Sequence, residues 1–431
     1  MSQPLFTSSG VASSFGGMLL IGGIEALYGP SLIRVIDVFG APPAIVGLII
    51  SAHFTGGLLG VLVAQTVHEW IGNRVLLAAG YALLIGGSVG FAWGPTLEFS
   101  IASSAVAGLG FGALDYALSQ LFAMGFGATA PRMLNLLHGF FGLGAIVAPL
   151  VVAVLGAERY PLYFSGFAAL ALIAAAGIRG VASRPTQRSS GADHSRQDET
   201  AAPSRPARMS IVPFGIFATL AGVFVLHVAV GSGIGSWEAT YLVLGGTSVE
   251  HAAAASSLFW LCMTVSRFTL AQLSTRMRPG VLVTLACTVM TVGSLLTAVP
   301  GLAAAGLAVV GFAIGPVFPT ALAWASQTFG GRSWVSGSLI AISMVGGIIF
   351  PPVLGSAVAA GSSLLLFPLF LATVSALCVV CCLIAAALPS VHRRKFPDAT
   401  PESTELGSRV AGLGHPGTEV QNAGNPAKGE R

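Results

Sequence analysis

Twelve stretches of this chain stay apolar for roughly twenty residues or more, the length a helix needs to cross a bilayer. They lie at about 13–36, 43–67, 74–94, 97–125, 133–155, 160–181, 211–243, 252–276, 280–298, 302–328, 333–359 and 362–388. Hydrocarbon offers no water to backbone N–H and C=O groups, so each stretch must close its own hydrogen bonds as an α-helix. At 54% hydrophobic and only 8% charged, the chain is too apolar for a soluble enzyme of its length. The expected fold is an all-α, multi-pass membrane protein with twelve transmembrane helices. The first apolar run holds Glu25 and has no small-residue cleavage site, so it is expected to remain as helix 1 rather than act as a secretory signal.

Composition changes abruptly between helices 6 and 7. Residues 182–210 hold Arg184, Arg188, Arg196, Arg205 and Arg208 among Ser, Pro, Asp and Gln, which predicts a solvated linker. The expected units are residues 1–181 and 211–388, each a six-helix bundle, with 389–431 a disordered tail. Even-numbered loops, the linker and the tail carry nearly all the Lys and Arg, including Arg74, Arg132, Arg276, Arg278 and Arg332; the other side has only Arg34 and Arg159. By the positive-inside rule both termini are expected in the cytoplasm, with the chain in the plasma membrane, or inner membrane of a bacterium. The net charge of +4 therefore reports topology and does not point to nucleic acid.

The halves repeat each other. Ile21-Gly-Gly-Ile-Glu25-Ala-Leu-Tyr28 in helix 1 matches Ile234-Gly-Ser-Trp-Glu238-Ala-Thr-Tyr241 in helix 7. Helix 2 ends Val61-Leu-Val-Ala-Gln65 where helix 8 ends Phe268-Thr-Leu-Ala-Gln272. Gly108-x-x-x-Gly112 in helix 4 matches Gly311-x-x-x-Gly315 in helix 10, and Gly144 to Pro149 in helix 5 matches Gly346 to Pro351 in helix 11. Four matches in the same order predict a duplicated six-helix unit, and transporters built this way hold their substrate near the midplane between the repeats.

Three acids lie well inside predicted spans: Glu25, Asp115 and Glu238. An unpaired carboxylate at mid-bilayer costs from about 2.5 kcal/mol upward, so such a group faces a protein-lined or wet cavity and is kept for function. Desolvation favours the neutral form of a carboxyl group, which can then load and release a proton as access alternates. The alternative is an acid hydrogen-bonded permanently between helices. Asp115 and Ser119 are one turn apart on one face, with Tyr116 and Gln120 beside them, a stripe suited to hydroxyl-rich solutes. Trp237 and Tyr241 are likewise one turn apart and could stack on a sugar ring, although aromatics near helix ends also serve as interfacial anchors.

Asn135 and His138 share a face of helix 5, where His138 could relay protons or bond to a neighbouring helix. His53 and His227 are of the same kind. Arg267 is expected to act as a gate or structural residue. All five cysteines fall in apolar spans without His or acid at ligand spacing, so neither a disulfide nor a metal framework is expected. No phosphate loop, nucleotide fingerprint or zinc-helix motif occurs. No cofactor is expected, and an ion gradient is the simplest energy source. A membrane-embedded enzyme is disfavoured, since no nucleophile with an adjacent base is visible.

Gly112-Ala-Leu-Asp115, followed by Arg132-Met-Leu-Asn135-Leu-Leu-His138-Gly-Phe-Phe-Gly142, resembles the fucose permease-like sugar transporters of the major facilitator superfamily. Gly315-Pro316-Val317-Phe318-Pro319 is similar to the family's signature in helix 10. Glu69-Trp-Ile-Gly72-Asn-Arg74 resembles the loop after helix 2 that latches the cytoplasmic side. The resemblance implies alternating access with proton symport of a sugar-like solute, and a monomer in the lipid bilayer is expected. It implies proton coupling at Asp115, with Glu25 near the position of a partner acid; Glu238, the counterpart of Glu25 in the internal repeat, is a further proton-coupling candidate. Solute contacts are expected from Ser119, Gln120, Tyr28, Asn135, His138, Trp237 and Tyr241, and a cytoplasmic gate from Glu69, Gly72, Arg74 and Arg267. Ser119, Gly231 and Gln65 depart from the family pattern, which leaves a non-sugar metabolite or proton-driven export open. A sensor that binds solute without transporting it is the rival from another class.

Overall fold

The computed structural model describes residues 5–183, 211–271, 277–329, 333–359 and 364–395. Within these residues twelve helices are long and apolar enough to span a membrane. They are α1 (Ser8–Phe39), α2 (Pro43–His68), α3 (Asn73–Trp93), α4 (Leu97–Gly125), α5 (Arg132–Leu155) and α6 (Ala157–Gly180) in the first half. The second half holds α7 (Phe214–Leu244), α8 (Val249–Leu270), α9 (Pro279–Leu296), α10 (Ala303–Thr328), α11 (Gly337–Val358) and α12 (Leu366–Leu388). Most of the expected linker and the tail beyond residue 395 lie outside the described residues, as do Arg276 and Arg332.

Local chemistry sets many of the ends. Thr7 and Thr96 cap α1 and α4, their hydroxyl oxygens accepting from the Gly10 and Phe99 amides. Gly40 closes α1 with φ at 58°, a conformation glycine adopts without strain. Helix α1 starts five residues before the predicted residue 13, because the Thr7 cap and an antiparallel bridge between Phe6 and Val181 support a polar first turn that hydropathy does not register. Helix α10 is interrupted at Gly315-Pro316 into segments Ala303–Ile314 and Val317–Thr328. Proline lacks the N–H that would continue the ladder and clashes with the preceding turn.

The repeated glycines have repeated partners. A Cβ on Gly108 or Gly112 would meet the carbonyls of His53 and Gly57, so α4 lies backbone to backbone on α2. In the second half, Gly311 and Gly315 bring α10 close to the Phe259 and Met263 carbonyls of α8, with Ser266 also against Gly315. Small residues permit this approach, and dispersion and weak Cα–H···O contacts then hold helices that hydrophobicity cannot drive together inside lipid. Leu172 and Ile173 on α6, Val292 on α9 and Leu383 on α12 are exposed, as a face against hydrocarbon requires.

The halves meet through the pairs α1 with α7, α2 with α11 and α5 with α8. Gly29 packs on the Gly235 carbonyl, Ser51 donates to the Ile348 carbonyl at 2.6 Å, and Gly47 lies against Pro351 and Pro352. These contacts all fall in the parts of the helices nearer the α1–α2 turn. Gly142 against Thr264 and Gly139 against Phe268 join α5 to α8 further toward the opposite, linker-bearing face.

Candidate functional site

Helix α4 packs against α2 through Gly108 and Gly112 and against α3 through Gly110, and another stripe of it faces away from those two helices. Phe111, Asp115 and Ser119 recur every fourth residue along it, and each is only half-buried although the helix crosses the interior. Gln120 and Tyr116 flank the stripe and are half-buried too. Glu25, midway along α1, is also half-buried and lies within electrostatic reach of Asp115. On α5, Asn135 and His138 are exposed, and His138 interacts with Asp115.

Arg267 brings the second half into this group. It lies within electrostatic reach of Glu25 on α1, His138 on α5 and His227 on α7. The seam of Gly139 and Gly142 against Phe268 and Thr264 sets α5 beside α8 and brings His138 and Arg267 into range. Arg267 Nε has no hydrogen-bond partner, and one terminal guanidinium nitrogen points at Met263 Sδ, 4.0 Å away. None of these charged groups forms an ion pair within the described residues; the pairs present are Arg34 with Asp37 and Arg159 with Glu158, both well exposed. The result is two carboxyl groups, an imidazole and a guanidinium from four helices, close enough to interact and not locked together. Such an arrangement can exchange protons and accept a polar solute.

The remaining predicted residues fall elsewhere. Glu238 is wholly buried, has Ser256 as its polar neighbour, and makes no hydrogen bond through either oxygen. Trp237, one residue away, is also wholly buried and donates its indole N–H to the Pro351 carbonyl at 2.7 Å. Tyr241 donates to the Thr297 carbonyl at 3.1 Å and stacks on Phe367 with ring centres 4.5 Å apart. Tyr28 is enclosed by the rings of His53, Phe91 and Phe164, its hydroxyl unpartnered, but it remains within electrostatic reach of Glu25. The aromatic residues expected at the solute are thus packed between helices in this conformation, where the sequence repeat gave no indication of their partners.

Among the gate residues, Arg267 belongs to the central cluster rather than to the loop after α2. Gly72 turns that loop with φ at 74°. Arg74 donates to the carbonyls of Val181 at 2.6 Å and Arg179 at 2.9 Å, and Asn73 donates to Ala182 and pairs with His68. The loop is tied to the end of α6 in its own half; the side chain of Glu69 lies outside the described residues. The cysteine spacing in sequence predicts no metal framework, yet the fold gathers the Cys287, Cys378 and Cys382 thiols within 4.8 Å of one another. The i, i+4 spacing of Cys378 and Cys382 was the available signal, but the third thiol comes from a distant helix.

Twelve spanning helices in two matching bundles, with ionisable groups gathered between them, define a multi-pass membrane carrier. The chain belongs to the Major Facilitator Superfamily, whose model matches residues 14–351. Its fold is similar to a crystallised D-xylose-proton symporter, with a TM-score of 0.71, 15% identity, and coverage of 88% of this chain and 96% of that one. A nucleoside transporter, NupG, aligns with a TM-score of 0.67 at 14% identity over 88% of this chain and 98% of its own. A bacterial homolog of the human lysosomal transporter Spinster, crystallised inward-facing and unoccupied, aligns at 0.65 and 15% identity, covering 92% and 98%. No curated protein sequence matches the chain. At these identities the structural likeness establishes the fold alone.

Proposed function

We propose that this transporter couples the movement of a monosaccharide or similar small polar solute to an inward flow of protons, in the manner of the fucose permease-like branch. The observation that carries the reading is the set of Glu25, Asp115, His138 and Arg267, drawn from both halves and held without ion pairs. Asp115, with Glu25 as its neighbour, takes up and releases the proton. Each loss of a proton leaves a carboxylate within reach of Arg267 or of the His138 ring, so the electrostatic balance of the inter-half seam changes with every protonation step. Ser119, Gln120 and Asn135 offer the hydroxyl and amide groups that a polyhydroxylated solute exchanges for its water.

With the termini in the cytoplasm, as the arginine distribution predicts, the contacts of Gly29, Ser51 and Gly47 close the outer side. Asn135 and His138 then open toward the cytoplasm, giving the inward-facing half of an alternating-access cycle. The titration of Glu25 and Asp115 is the switch, and the α1–α7, α2–α11 and α5–α8 seams are the elements it biases.

Uptake of a sugar panel into proteoliposomes, with and without an inward proton gradient, tests the proposal. Accumulation above the external concentration only with the gradient is expected for at least one solute. Asp115→Asn should abolish that accumulation and leave downhill exchange of the same solute in place. Equal accumulation by parent and variant would falsify the coupling assignment, and solute efflux driven by proton entry would reverse the direction proposed.

A further inference from the structure

Outside the central cluster, the second half buries a second concentration of reactive side chains. Cys287 on α9 and Cys378 and Cys382 on α12 are wholly buried, with all three sulfurs within 4.8 Å of one another and the Cys287 and Cys378 sulfurs 3.4 Å apart. A trigonal planar site with metal–sulfur bonds of about 2.3 Å needs sulfurs about 4 Å apart, and a pyramidal one brings them closer. The spacing therefore fits one shared central atom. Cys378 also approaches the Val223 carbonyl at 3.6 Å, which fixes the trio where α7, α9 and α12 meet.

The surroundings discriminate between ions. Among the described residues the titratable neighbours of the trio are other cysteines; no Lys, Arg or His interacts with it. Three thiolates around a divalent cation leave one net negative charge in a low-dielectric interior, and around a monovalent cation two. Uncompensated charge there is costly. A centre that takes three sulfurs and ends neutral avoids the cost. A groove of about 850 Å³ between α9, α10 and α12, lined by Thr284, Thr288, Trp324 and Leu383, runs beside the trio, and Thr284 interacts with Cys382.

We propose that Cys287, Cys378 and Cys382 form a three-thiol site for the neutral hydroxides of trivalent arsenic or antimony. The step balances without an oxidant. Three arsenic–oxygen bonds break and three arsenic–sulfur bonds form; each thiol proton leaves with one hydroxide as water. Arsenic remains trivalent, sulfur keeps its oxidation state, and the product has no net charge. Bound in this way, the ion joins α9 to α12 inside one half, away from Glu25 and Asp115, so the site is a place of binding and not the path of the transported solute.

The test is arsenite titration of the reduced full-length protein in detergent, followed by desalting, arsenic quantification and X-ray absorption at the arsenic edge. One arsenic per chain with three sulfur ligands is expected. Cys287→Ser and Cys382→Ser should each weaken retention by about tenfold or more, since the remaining pair loses one intramolecular arm. Cys262→Ser and Cys381→Ser should leave retention unchanged. Two or fewer sulfur ligands in the unaltered chain would overturn the proposal, and that measurement stands whether or not a variant folds. So would equal retention by Cys287→Ser, or retention of cadmium in preference to arsenite, which would mean that the interior accepts an anionic centre.

Discussion

Arg267 makes sense only through its neighbours. Its sequence position near one end of α8 suggests a gate or structural residue but names no partner; the fold sets it within electrostatic reach of Glu25 and His138. Trp237 illustrates the same dependence on context. Its indole N–H reaches across to the Pro351 carbonyl of α11, while the carbonyl that Pro352 leaves free, that of Ile348, accepts from Ser51 instead. Trp237→Phe keeps most of the ring volume and removes one hydrogen bond between helices, at a cost of about 0.5–1.5 kcal/mol. A lower melting temperature in detergent, with solute affinity unchanged, is the expected result. Arg74→Ala removes two charge-assisted bonds to the end of α6 and should loosen the α2–α3 turn, seen as faster amide exchange at residues 179–182.

At the scale of elements, Gly-x-x-x-Gly on α4 and α10 marks a face that admits another backbone, and the fold gives that face to α2 and α8. What the spacing did not say was which helix would take that face. Gly112→Leu would drive a branched side chain into the Gly57 carbonyl, beyond the about 1–3 kcal/mol typical of overpacking where side chains can yield. Loss of monodisperse protein is expected for this variant. Gly29→Val offers a finer test, since Gly29 meets Gly235 across the halves and not within one. It should leave each bundle folded while hindering closure on the side of the α1–α2 turn, measured as slower solute exchange with little change in melting temperature.

For the whole molecule, the contacts near the α1–α2 turn and the exposed polar residues of α5 predict access from one side. In a background with Cys262 and Cys381 replaced by Ser, Asn135→Cys should react with a membrane-impermeant maleimide from the face that bears the linker. Val38→Cys, exposed at the far end of α1, should react from the other face. Equal labelling of Asn135→Cys from both faces would contradict the conformation described. The sequence by itself determined the number of spans, the doubling of the six-helix unit and the acids that lipid cannot tolerate unpaired, because length, apolarity and repetition are properties of local chain. Only the tertiary structure decided that Arg267 would face Glu25, that Trp237 would bond to α11, and that three cysteines from two helices would share one site. Those outcomes depend on how helices remote in sequence approach one another, and that approach is set by packing summed over whole faces rather than by any single stretch.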